Sequence, residues 1–130
     1  MSVYERLALV RRDTGLTQTQ FAEELKVSRR AYINYEGGER ELPLSLVLTL
    51  HQKLSILPTW FLTGEGAKTL DLRTKMISGA VSAVNSFALK KNLEISPDDR
   101  AKLVVLLVEY FEQVGKVDIK FADKVLELQA

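Results

Sequence analysis

Two adjacent arginines, Arg29 and Arg30, are followed at helical spacing by Ile33 and Asn34. Arginine's planar fork can donate two hydrogen bonds to guanine O6 and N7, a pairing worth about 1–3 kcal/mol of discrimination. Asn34 carries the donor and acceptor suited to adenine, and an outward Ile33 can pack on thymine methyl groups. That chemistry requires all four to project from one narrow rod, so the surrounding elements decide it. Ser28 can cap such a rod, with Ala31, Tyr32 and Tyr35 facing inward. Just upstream, Thr17 and Gln20 form a T-x-x-Q capping box opening a helix with an apolar stripe of Phe21, Ala22 and Leu25. Lys26-Val27 interrupts the pattern. Two helices this short cannot pack parallel across so brief a break and must cross steeply. The outer face of the second is left free, a geometry that can enter a DNA major groove.

The flanks extend the pattern. Ser2 and Glu5 form another capping box, opening a helix to about Asp13 with Val3, Leu7 and Val10 on one face. Thr14-Gly15 ends it. Gly37-Gly38 stops the second short helix, where a left-handed cap is usual. Pro43 suits the first turn of a fourth helix with Leu44, Val47, Leu50, His51 and Leu54 inward. Pro58 opens a short fifth helix, closed by Gly64-Glu65-Gly66, and Trp60 with Phe61 and Leu62 is expected to plug the base of the domain.

The run TQTQFAEELKVSRRAYINY resembles the helix-turn-helix of the lambda-type repressor and Cro superfamily. The resemblance continues through ERLALVRRDTGLTQ on one side and through YEGGERELP to WFLTGEG near Gly66 on the other, about half of the chain. WFLTGEG is similar to a segment of temperate-phage repressor-like members. One position departs: the family's turn usually carries glycine where this chain has Lys26, and a left-handed residue other than glycine costs on the order of 1 kcal/mol. The resemblance implies a five-helix DNA-binding domain at residues 1–66, with Arg29, Arg30, Ile33 and Asn34 reaching base edges. It also implies that Gln18 braces against both the DNA backbone and the recognition helix. Thr17 and Gln18 sit where free N–H groups and the helix dipole attract a phosphate oxygen, and Arg40 adds a backbone contact. Contacts of that kind set register and affinity.

Residues 67–130 read as three further helices, so the whole chain is expected to be all-α. Leu70 to about Lys91 carries Ile77, Ala80, Val81, Val84, Phe87 and Ala88 at spacings of three and four. Ser96-Pro97-Asp98-Asp99 is a helix start, with a serine cap, proline at the first position and acids at the positive end of the dipole. Gly115 ends that helix, and Asp118 caps a last one with Ile119, Ala122, Val125 and Leu126 inward. The segment Leu103 to Val108 is apolar around its whole circumference, and three helices alone enclose such a segment poorly. Residues 67–130 are therefore expected to hold a homodimer or larger assembly through Leu103, Leu106, Leu107, Tyr110 and Phe111.

The 130 residues are 46% apolar and 27% charged, with net charge +1. Residues 1–66 hold eight Lys/Arg and eight Asp/Glu. A DNA surface must therefore come from arrangement, with Arg11, Arg12, Arg29, Arg30 and Arg40 clustered and the acids turned away. With no cysteine and one histidine, disulfides, thiolate zinc sites and cysteine nucleophiles are excluded. No metal or cofactor is expected. No glycine-rich phosphate loop, H-E-x-x-H or nucleophile elbow is present, so no enzymatic activity is expected either. The strand-rich self-cleaving peptidase domain of some similar phage repressors does not match the helical second half. Without a signal-peptide core or a membrane-length apolar run, a cytoplasmic protein is expected. Double-stranded DNA is the expected partner. A protein-interaction module, antitoxin-like or the target of an antirepressor, is the alternative.

Overall fold

Side-chain caps start the first three helices of the computed structural model, which describes residues 1–129. Ser2 Oγ accepts the Glu5 N–H and opens α1 (Val3–Thr14). Thr17 Oγ1 accepts the Gln20 N–H and opens α2 (Gln18–Glu24), and Gln20 Oε1 accepts the Thr17 N–H in return. Ser28 Oγ accepts the Ala31 N–H at the start of α3 (Arg29–Glu36). These contacts satisfy N–H groups that have no partner inside the helix. Proline precedes α4 (Leu44–Leu54) and opens α5 (Pro58–Thr63). The remaining helices are α6 (Leu70–Lys91), α7 (Pro97–Val114) and α8 (Ile119–Gln129). Ser96 caps α7, and the Asp118 carboxylate accepts the Phe121 N–H at the start of α8. Among the described residues the protein is all-α; its extended pairing is a single bridge between Ile56 and Thr69.

The chain divides into two compact units, Met1–Thr69 and Leu70–Ala130, three residues beyond the expected boundary. Residues 67–69 are tied to the first unit by backbone and side chain. The Leu57 N–H donates to the Lys68 carbonyl at 3.0 Å, and Ala67 is buried. Lys68 pairs with Asp13 and stands 5.4 Å from the Trp60 ring centre.

The core of the first unit gathers Leu7, Val10, Phe21, Ala22, Leu25, Tyr32, Tyr35, Leu46, Val47, Leu50, Ile56 and Phe61. Phe21 meets Tyr32 edge to face at 5.5 Å, joining α2 to α3. Leu44 is 81% exposed, against expectation, and Leu46 is buried instead. The inward arc of α4 is centred between Leu50 and Leu54, and at 100° per residue Leu46 falls nearer that centre than Leu44 does. The expected left-handed cap after α3 falls on the second glycine: Gly37 stays helical, and Gly38 takes φ 75° against the Tyr4 ring.

In the second unit, α6 packs on α7 and α8 around Met76, Ala80, Ala83, Val84, Phe87, Ala88, Leu107, Phe111, Ala122 and Leu126. Ile77 and Val81, expected inward, are exposed at one edge of the α6 stripe, while Met76 and Ala83 are buried. Two partner helices displace the buried arc toward the Met76–Ala83 side. Ile119 is likewise exposed, and Ala122 and Leu126 carry the contact of α8. Leu107 and Phe111 are fully buried within this unit, so neither can serve as the intermolecular contact expected of them. Their side chains are committed to α6 and α8, as the burial of one arc of α7 requires. Leu103, Leu106 and Tyr110 are only partly covered.

Candidate nucleic-acid interface

The helix carrying Arg29, Arg30, Ile33 and Asn34 is held from its inner side. Tyr32 is fully buried and Tyr35 nearly so, which leaves the intervening positions to face away. Arg29 and Arg30 are exposed, and Ile33 and Asn34 are partly exposed. The four thus share the outer side of α3 as the spacing implies.

The two arginines differ in their restraint. Arg29 Nε donates to Thr19 Oγ1 of α2 at 3.0 Å, which fixes the guanidinium while its two terminal nitrogens keep no protein partner among the described residues. Arg30 has no hydrogen-bond or ion-pair partner among them. One is pre-oriented and the other is free to search, which lowers the ordering cost for Arg29.

Behind this face an ion pair ties α1 to the last turn of α3. Arg11 Nε and Nη2 donate to the two carboxylate oxygens of Glu36, each at 3.0 Å, and Nη1 donates to the Leu16 carbonyl. The two side chains are 17% and 10% exposed. Burial alone would push the Glu36 carboxyl up, but the Arg11 hydrogen bonds, with smaller help from Tyr32 and Gln18, hold it below its ordinary value of 4.5. The same partnership, against the opposing effect of burial, raises Arg11 further. Burial, then Glu36, pushes the Tyr32 phenol up. Its hydroxyl is buried beside the pair without a well-aligned hydrogen bond. Arg11 is therefore committed to the interior and cannot join the cluster of free cations expected of it. A bidentate pair of this kind fixes geometry as well as charge.

Thr17 caps α2, and Gln18 begins that helix against Glu36 of α3. Arg40 is exposed and stands 5.6 Å from the Tyr35 ring centre, a cation–π placement that steadies it beside the C-terminus of α3. Lys26 adopts φ 57°, the left-handed turn that the motif requires, without glycine. His51 is a packed residue, its Nδ1 3.0 Å from the Ile56 carbonyl.

Arg6 is a residue that sequence reasoning passed over. It is buried, and it donates to the Phe61 and Leu62 carbonyls at 2.6 and 3.0 Å and to the Met1 carbonyl. It thereby pins α1 to the end of α5. The signal was its place between Val3 and Val10 on the apolar stripe, where a cation must find buried acceptors.

Among the described residues, no cluster of His, Asp or Glu could hold a metal ion, and no helix is long and apolar enough to cross a membrane. Residues 4–67 match a family model described as a helix-turn-helix domain. No curated protein and no solved structure matches the chain.

Proposed function

We propose that this all-α protein, with its N-terminal helix-turn-helix domain, is a sequence-specific transcriptional regulator of the phage-repressor type. It acts as a dimer or larger homo-oligomer on a palindromic operator. The observation that carries the reading is the free outer side of α3, with Arg29 and Arg30 exposed over an inner side locked by Tyr32, Tyr35 and the Arg11–Glu36 pair. Arg29, Arg30, Ile33 and Asn34 read base edges; Thr17, Gln18 and Arg40 hold the backbone. Paired subunits set two recognition helices on half-sites about 34–36 Å apart, or a multiple of that.

Selection from random duplex DNA, followed by titration of the selected site, tests this. A palindromic consensus is expected. Arg29→Ala or Arg30→Ala should each cost about 1–3 kcal/mol of specific affinity and relax one position of the site. Gln18→Ala or Arg40→Ala should weaken specific and non-specific binding more evenly. Unchanged affinity and footprint in the Arg29/Arg30 double alanine variant would refute the assignment of the reading face. The equal numbers of acids and bases in residues 1–66 favour a second reading, an interaction module that captures an antirepressor or toxin. Salt-insensitive capture of one protein, with no salt-dependent DNA binding, would select it.

A further inference from the structure

We infer that the outer face of α7 is a two-fold contact between copies of this chain, the two helices running antiparallel and crossing at Val105 and Leu106. The inference rests on the homo-oligomeric part of the reading above and deepens it by naming the surface and its polarity.

The apolar segment of α7 is covered on one side only. Leu107 and Phe111 are buried against the other helices of the unit, whereas Val105 is 56% exposed and Leu106 only partly covered. Ala101, Lys102, Val105, Leu106 and Glu109 line one surface depression. Val105 and Leu106 form its centre, with Lys102 one turn before and Glu109 one turn after. Neither charge has an ion-pair or hydrogen-bond partner among the described residues.

That arrangement is self-complementary under one symmetry. In an isologous contact, each residue before the axis meets the corresponding residue after it. Lys102 and Glu109 stand at equal distances on either side of the Val105–Leu106 midpoint, about 5 Å along the helix. An antiparallel copy therefore sets Lys102 against Glu109 twice, while Val105 of each copy meets Leu106 of the other. A parallel copy would set lysine on lysine and glutamate on glutamate. Asp98 and Glu112 lie further out on the same face, where antiparallel alignment brings acid toward acid. The helices accordingly cross at the central turn and diverge before those ends meet, as ridge-into-groove packing allows. One patch supplies both members of each charged pair, which identifies a second copy as the occupant.

Sedimentation velocity on the full chain tests this, using Lys102→Glu, Glu109→Lys and Val105→Asp, all at exposed positions. Each single variant should keep the wild-type circular dichroism spectrum and melting curve but dissociate on the order of tenfold more readily. An equimolar mixture of Lys102→Glu and Glu109→Lys should associate again, because both contacts of a mixed pair then join an acid to a base. The double variant should also associate. If wild type associates and all three single variants associate equally well, this face is wrong while the homo-oligomeric reading stands. If the single variants weaken but their mixture is not restored, the antiparallel pairing is wrong. A wild-type chain that is monomeric at every concentration overturns both readings.

Discussion

Glu36 shows how one carboxylate on the inner side of α3 can hold the outer side in place. Its hydrogen bonds with Arg11 join α1 to the last turn of α3, and Gln18 of α2 leans on the same group. Because the folded carboxyl sits below its ordinary value, the pair contributes stability that is fully present above about pH 4.5. That contribution is lost as the pH falls through the lowered folded value. Glu36→Gln should therefore be less stable than wild type near neutrality, and the two should converge in acid. Melting temperatures measured across that range decide it; parallel acid limbs would mean that Glu36 does not carry the titration. At the same scale, Arg29 and Arg11 are chemically identical and oppositely placed. One is exposed, with its terminal nitrogens free, and the other is spent inside.

At the scale of elements, the turn between α2 and α3 and the close approach beside α6 can each be tested with one substitution. Lys26 holds φ 57°, where a side chain crowds its own backbone. Lys26→Gly should raise stability by up to about 1 kcal/mol, the relief of that crowding less the freedom that glycine adds to the unfolded chain. A lower denaturant midpoint would show that the lysine side chain contributes more than its backbone costs. Gly79 in α6 is the reverse case. A Cβ there would come 2.8 Å from Val117 Cγ1 and within 4 Å of Phe111 and Ile119. Gly79→Ala gains about 1 kcal/mol of helix propensity but forces repacking that costs about 1–3 kcal/mol. Net destabilisation is expected in chemical denaturation, and a stabilised variant would mean that Val117 yields freely.

At the scale of the whole molecule, the proposed function assigns DNA contact to the first unit and self-association to the second. Each has its own core, and residues 67–69 belong to the first through the Leu57–Lys68 hydrogen bond and the Lys68–Asp13 pair. A fragment of residues 1–69 should fold alone and bind a single half-site. It should bind the full operator much more weakly than the intact chain does, because joining two modules makes the second contact intramolecular, an advantage of about 10²–10⁴. Binding titrations on half and full operators measure that ratio. Equal affinity of fragment and intact chain for the full operator would remove the second unit from DNA recognition.

The starts and ends of the helices were legible in the residues themselves. Ser2, Thr17, Ser28 and Ser96 cap where their spacing to the first free N–H groups places them, and Gly15, Gly64 and Gly115 take the left-handed positions that end their helices. These are contacts within four residues, which local chemistry decides. The outward set on α3 was legible for the same reason, since Tyr32 and Tyr35 claim the inner side of so short a helix. What stayed hidden depends on meetings across the chain. Arg11 finds Glu36 across 25 residues, and Arg6 finds the Phe61 carbonyl across 55. Leu107 and Phe111 are internal because α6 and α8 reach them first. Periodicity identifies an apolar face but not the arc that neighbours will cover, so composition and spacing determined the elements, and packing alone decided which arginines and leucines remain free to meet a partner.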